Sequence, residues 1–106
     1  MARTPFSCAY DDATRTLTVS GDLDETGALE LQGRLSSLMS EHSRDLVMDL
    51  SSVKSLPGLA VGVIAAARAD MRAHFARLDL VAPQGSPVGR VLLRSGMAVR
   101  SKVAAD

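Results

Sequence analysis

Along this chain the hydrophobic positions switch between a period of two and a period of three to four. Phe6, Cys8 and Tyr10 are spaced by two, as are Leu17 and Val19, with Leu23 beyond a glycine. That alternation puts apolar side chains on one side of a pleated strand, so the opening segment predicts two strands. The short polar run Asp11-Asp12-Ala13-Thr14 between them reads as a hairpin turn. Gly21-Asp22-Leu23-Asp24 closes the second strand. The period then lengthens. Ala28, Leu31, Leu35, Leu38 and Met39 fall at 3/4 spacing, the buried stripe of a helix over about 25–42. Asp24 or Thr26 can cap it by accepting a bond from a free first-turn N–H.

Residues 45–50 predict a third strand, with Leu46, Met48 and Leu50 on one face and Val47 on the other. Hydrophobes on both faces suit a central strand. Residues 51–56 read as a loop, and Pro57-Gly58 marks a sharp boundary. A second long helix is expected over 59–76, with Ala60, Ile64, Ala67, Met71 and Phe75 as its core stripe and Arg68 and Arg72 on a solvated side. A strand over 78–82 follows. Ser86 and Pro87 then supply a cap and a first helical residue. Val88, Val91 and Leu92 face inward, and Gly96 stops that helix. A last short strand over 97–99 is allowed by the pattern, and 102–106 looks frayed. The order is β-β-α-β-α-β-α, with the optional last β. Strands joined through helices imply parallel neighbours and right-handed crossovers. The expectation is one small α/β domain over 1–106, its core at about 6–99 and 100–106 frayed. The sheet is mixed, with helices packed mainly on one face.

Composition narrows the function classes. The chain has 106 residues, enough for one domain and not for two. Lys+Arg and Asp+Glu are 12 each, so no overall charge draws the chain to nucleic acid or to an anionic membrane. Three aromatics leave almost no stacking platform for single strands. The single Cys8 excludes an internal disulfide and a CxxC knuckle, and His42 and His74 show no HxxxH spacing. No metal or cofactor is expected. Residues 1–10 lack the apolar core of a signal peptide, and the longest apolar stretch, 56–67, is too short to span a bilayer. The lone thiol and the missing signals point to the cytoplasm.

Enzymatic chemistry finds little to stand on. There is no GxSxG elbow, and Gly58-Leu59-Ala60-Val61-Gly62 lacks the lysine of a P-loop and the third glycine of a dinucleotide fingerprint. Its GxxxG spacing reads as close helix packing. Gly85-Ser86-Pro87-Val88-Gly89 opens a helix, and the ordinary reading is a capped start. Asp22 and Asp24 flank Leu23 at a strand end, and Asp49 ends the next strand. Such strand ends gather ligand and partner sites in α/β sheets. These acids and the 51–59 loop make the best functional surface in the chain, though it lacks a nucleophile–base pair.

Three segments carry a resemblance. Leu17-Thr18-Val19-Ser20-Gly21-Asp22-Leu23-Asp24 resembles the "v-l-x-G-e-L-D" opening of STAS domains, the fold of bacterial anti-sigma factor antagonists. Leu46-Val47-Met48-Asp49-Leu50-Ser51-Ser52-Val53 is similar to the family's "v-v-l-D-L-s-g-V". Leu78-Asp79-Leu80-Val81, with the run from Ser86 to Met97, resembles its "l-x-l-v-x-p-s-x-x-v-x-r-v-l-x-l-t-G-l" tail. The resemblance covers about 6–99. It implies a STAS-like fold and a segment D-S-S-G-L at the start of the second long helix. The first serine of that segment accepts phosphate from an anti-sigma factor of the histidine-kinase-like ATPase fold. Here an ungapped match places Pro57, Gly58, Leu59 and Ala60 on D-S-S-G, so Gly58 stands at a degenerate phosphoacceptor position. A two-residue gap would place Ser55, Leu56 and Pro57 there instead. In neither alignment does the acceptor position carry a hydroxyl. Phosphorylation there would add roughly −1.5 to −2 charge at a helix N-terminus, and Gly58 cannot accept it. Ser51, Ser52 and Ser55 are nearby, off-position alternatives.

The resemblance thus implies a protein-binding regulatory module, an anti-anti-sigma factor without the usual serine switch, and not an enzyme. Its partner surface would be Asp22, Asp24, Ser55, Pro57, Gly58 and Leu59. Leu59 and Val61 suit either core or docking surface. The implied partner is a kinase-fold anti-sigma factor. The alternative is a cytoplasmic accessory subunit bound to the ATPase subunit of an ABC-type lipid or anion transporter. Neither nucleic acid binding nor direct membrane insertion is implied, and a homodimer is left open.

Overall fold

Alternating and helical periods become five strands and three helices in a computed structural model that describes residues 6–21, 23–41 and 45–101. The elements are β1 (Ser7–Asp11), β2 (Thr16–Gly21), α1 (Glu25–Glu41), β3 (Leu46–Val53), α2 (Gly58–Ala73), β4 (Leu78–Val81), α3 (Pro87–Arg94) and β5 (Val99–Arg100). One mixed sheet runs in the order β1-β2-β3-β4-β5. β1 is antiparallel to β2, and the other neighbours are parallel. The β1–β2 turn is pinned by the Asp11 carboxylate, which accepts the Ala13 N–H at 3.0 Å. Each later step moves one strand the same way across the sheet, so right-handed crossovers bring all three helices to one face. Burial follows suit. Leu17, Val19, Leu46, Met48, Leu50, Leu78 and Leu80 are buried with Leu31, Leu35, Ile64, Val88 and Leu92 in one cluster. Thr18, Val47, Asp49 and Asp79, on the alternate face, keep solvent contact.

Four expectations are corrected. The third strand does not stop at Leu50. A register shift against β2 lets Ser51 and Ser52 both face solvent and returns Val53 to the core, so the strand runs on and the loop shrinks to 54–57. The register fits a bulge, which inserts a residue and re-aims those after it. Phe75 is no core residue. α2 ends at Ala73, and Phe75 follows in a left-handed conformation (φ 61°) that leaves its side chain wholly exposed. The Ala76 N–H bonds the Met71 carbonyl at 2.8 Å and the Phe75 N–H bonds that of Arg72 at 3.1 Å, the paired bonds of a Schellman turn. Ala76 instead packs against the core. Gly58 and Gly62 do not mediate close packing, because a Cβ on either would meet nothing within 4 Å. The last strand begins at Val99 rather than Met97, whose side chain is buried. The expected fray at 102–106 lies outside the described residues, as do His42 and Asp22.

The third helix is as expected. The Ser86 hydroxyl accepts the Gly89 N–H at 3.1 Å, Pro87 takes the first turn, and Gly96 (φ 83°) closes it.

Candidate functional site

The carboxyl ends of β2 and β3 lie side by side, since Gly21 pairs with Val53. The segments that lead into α1 and α2 therefore leave the sheet from neighbouring points. Asp24 enters α1 as its cap: its Oδ1 accepts the Gly27 N–H at 2.8 Å, and Leu23 beside it is buried. Asp49 has a comparable local task. Its Oδ1 accepts the Ser51 N–H at 2.9 Å, where the strand register shifts. The structure thus gives each of these acids a backbone bond, and the third acid of the expected patch, Asp22, lies outside the described residues.

The 54–57 loop is anchored by Val53 and Leu56, both buried. Lys54 and Ser55 are exposed between them. Pro57 sits at the N-cap of α2 with extended dihedrals (φ −68°, ψ 159°), and its carbonyl accepts the Val61 N–H at 3.1 Å. Proline fixes the φ this position needs but offers no side-chain acceptor, and no side chain caps the helix. No acidic residue lies in the first turn. A helix N-terminus carries partial positive charge and N–H groups without intrahelical partners. Here these face the protein surface through Gly58 and Leu59, both exposed, the leucine at 44%. Leu59 is therefore surface and Val61 packs against the core. A Cβ on Gly58 would enter open space. The missing hydroxyl at this position is thus not imposed by packing. Ser51 and Ser52 are exposed on β3, not in a loop.

The surface offers apolar contact, helix N–H groups and one lysine. Sequence reading missed Lys54, which no pattern singled out, and the local role of Asp49. The latter was legible in the Asp-x-Ser spacing, since an Asp side chain readily bonds the backbone N–H two residues on. Among the described residues no three His, Cys, Asp or Glu side chains gather where they could hold a metal. Nor is any described helix long and apolar enough to cross a membrane. His74 contacts its own helix, Nδ1 lying 2.9 Å from the Asp70 carbonyl.

The model of the family described as "Mlab, STAS domain" matches residues 6–102. Among solved structures, an anti-sigma factor antagonist from Mycobacterium paratuberculosis superposes with a TM-score of 0.71 at 19% identity, over 93% of this chain and 86% of that one. The anti-sigma factor antagonist SpoIIAA in its unphosphorylated form gives 0.71 at 14% identity, over 93% and 90%. No curated protein matches the chain in sequence.

Proposed function

The chain belongs to the STAS domain family, and from that premise we propose that it is a regulatory binding module of the anti-sigma factor antagonist kind, permanently competent because its acceptor position cannot be phosphorylated. The observation that carries this reading is the α2 N-terminus, exposed and without a side-chain cap; the ungapped match sets Pro57-Gly58-Leu59 there against the family's serine segment. The partner is an anti-sigma factor of the histidine-kinase-like ATPase fold. It docks on Asp22, Asp24, Ser55, Pro57, Gly58 and Leu59. Leu59 supplies apolar contact, and complementary charge excludes wrong partners. Such a module works by mass action in the cytoplasm, with no catalytic step of its own.

The test is to titrate the chain against each purified kinase-fold anti-sigma factor of its own genome, with ATP, and to follow both complex formation and intact mass. The expected result is a complex at micromolar concentration and an unchanged mass. Gly58→Ser should fold normally, since its Cβ meets nothing. It should gain one phosphate and then lose affinity. Absence of any complex overturns the reading, and phosphate on wild-type Ser51, Ser52 or Ser55 overturns its switch-less form. The second reading, an accessory subunit of an ABC-type transporter, draws on the same missing hydroxyl. Co-purification with a transporter ATPase in place of an anti-sigma factor would select it.

A further inference from the structure

The net charge is zero, yet the charges are not evenly spread. Arg68, Arg72, Arg77 and Arg100 line one cavity of about 460 Å³ beside the C-terminal half of α2 and the edge formed by β4 and β5. The one carboxylate in its wall is Asp79, which pairs with Arg100 (Nη2 to Oδ2, 3.5 Å). Among the described residues the guanidiniums of Arg68, Arg72 and Arg77 form no ion pair, though the Asp45 carboxylate accepts the Arg77 backbone N–H at 2.9 Å. Arg68 and Arg72 also line an adjoining cavity of about 450 Å³, whose walls include Ala65, Ala69, Ala73 and Met97. The two spaces adjoin at Arg68 and Arg72, which line both, and make one groove: Arg77 and Arg100 add positive charge on one side, and alanines and Met97 add apolar surface on the other.

We propose that this groove docks an acidic segment of a partner protein. Four guanidiniums against one carboxylate call for an anionic occupant. Planar guanidinium forks suit carboxylates in particular. The alanine-lined half would reward apolar side chains, which a free inorganic anion lacks, and no aromatic lines either cavity to stack bases as single strands need. Phe75 strengthens the case. It is fully exposed, and its neighbours Ala73, Ala76 and Arg77 all line the groove. Arginine and aromatic side chains are the residue types that dominate protein interfaces. Along α2, roughly 21 Å separates Arg72 from Gly58 at 1.5 Å per residue. The groove is thus a second surface, independent of whatever binds the α2 N-terminus, and the domain would join two partners.

The test uses fluorescence anisotropy of a fluorescein-labelled glutamate-rich dodecapeptide carrying two leucines, with the lysine-for-glutamate peptide and a single-stranded DNA of equal length alongside. Saturable binding of the acidic peptide below about 100 µM is expected in low salt, weakening as salt screens the charges. Arg68→Glu with Arg72→Glu should weaken it by about tenfold or more, whereas the same reversal at Arg90 and Arg94 on α3 should change it less than about twofold. Should the first pair fail to fold by circular dichroism, Arg72→Ala carries the comparison and should weaken binding about threefold. No saturable binding by the wild type, equal weakening by both reversals, or tighter binding of the DNA would overturn the proposal.

Discussion

Phe75 occupies the position after the α2 cap that glycine usually fills. A left-handed conformation brings an L-residue's Cβ too close to the following carbonyl, costing about 1–2 kcal/mol. Its side chain is wholly exposed and returns no burial energy. Phe75→Gly should therefore stabilise the domain by about 1 kcal/mol, after allowing for glycine's greater unfolded-state entropy. Thermal melting should show a rise of about 4 °C. A cost carried in an exposed aromatic is the pattern expected where a residue serves binding. Cys8 on β1 is half-buried, and burial pushes its thiol above the ordinary 9.0, against the lowering effect of Arg34. The native state then keeps its proton at pH values where the unfolded chain has lost it. Stability from this group is complete below about pH 9 and declines as pH rises beyond. Urea midpoints measured from pH 8 to 10.5 should fall less in Cys8→Ser than in the wild type.

Single side chains cap the N-termini of α1 and α3, Asp24 and Ser86, whereas α2 has no side-chain cap. α3 has only eight residues, too short to persist in isolation, so its cap matters more than its propensity. Ser86→Ala removes the hydroxyl that accepts the Gly89 N–H and should cost about 1 kcal/mol by urea denaturation, with Ser86→Asp largely retaining the stability. This helix was legible in full because Ser, Pro and Gly act locally at its two ends. The third strand was not. Its extension to Val53 depends on a register shift against β2, a long-range pairing that no local pattern encodes. The extension shortens the loop into α2 to 54–57.

At the scale of the whole molecule, one apolar layer lies between the sheet and three helices. The Cα radius of gyration is 12.8 Å, against the roughly 13 Å expected of a compact chain of this length. Leu50 is fully buried in that layer, on the central strand. Leu50→Ala should cost about 2–5 kcal/mol, a large part of the roughly 5–15 kcal/mol available to a domain, and denaturant titration would measure it. Local pattern sufficed for the element order, the mixed sheet, the Ser86 cap, a cap at Asp24 or Thr26, and the lack of a hydroxyl at Gly58. Each of these rests on periodicity or on a contact within a few residues. Only the packed chain decided that β3 runs on to Val53, that Phe75 leaves the core, and that four arginines from α2, β5 and the segment before β4 converge on one groove. Those outcomes depend on where helices end and strands register, which the packing of distant segments sets.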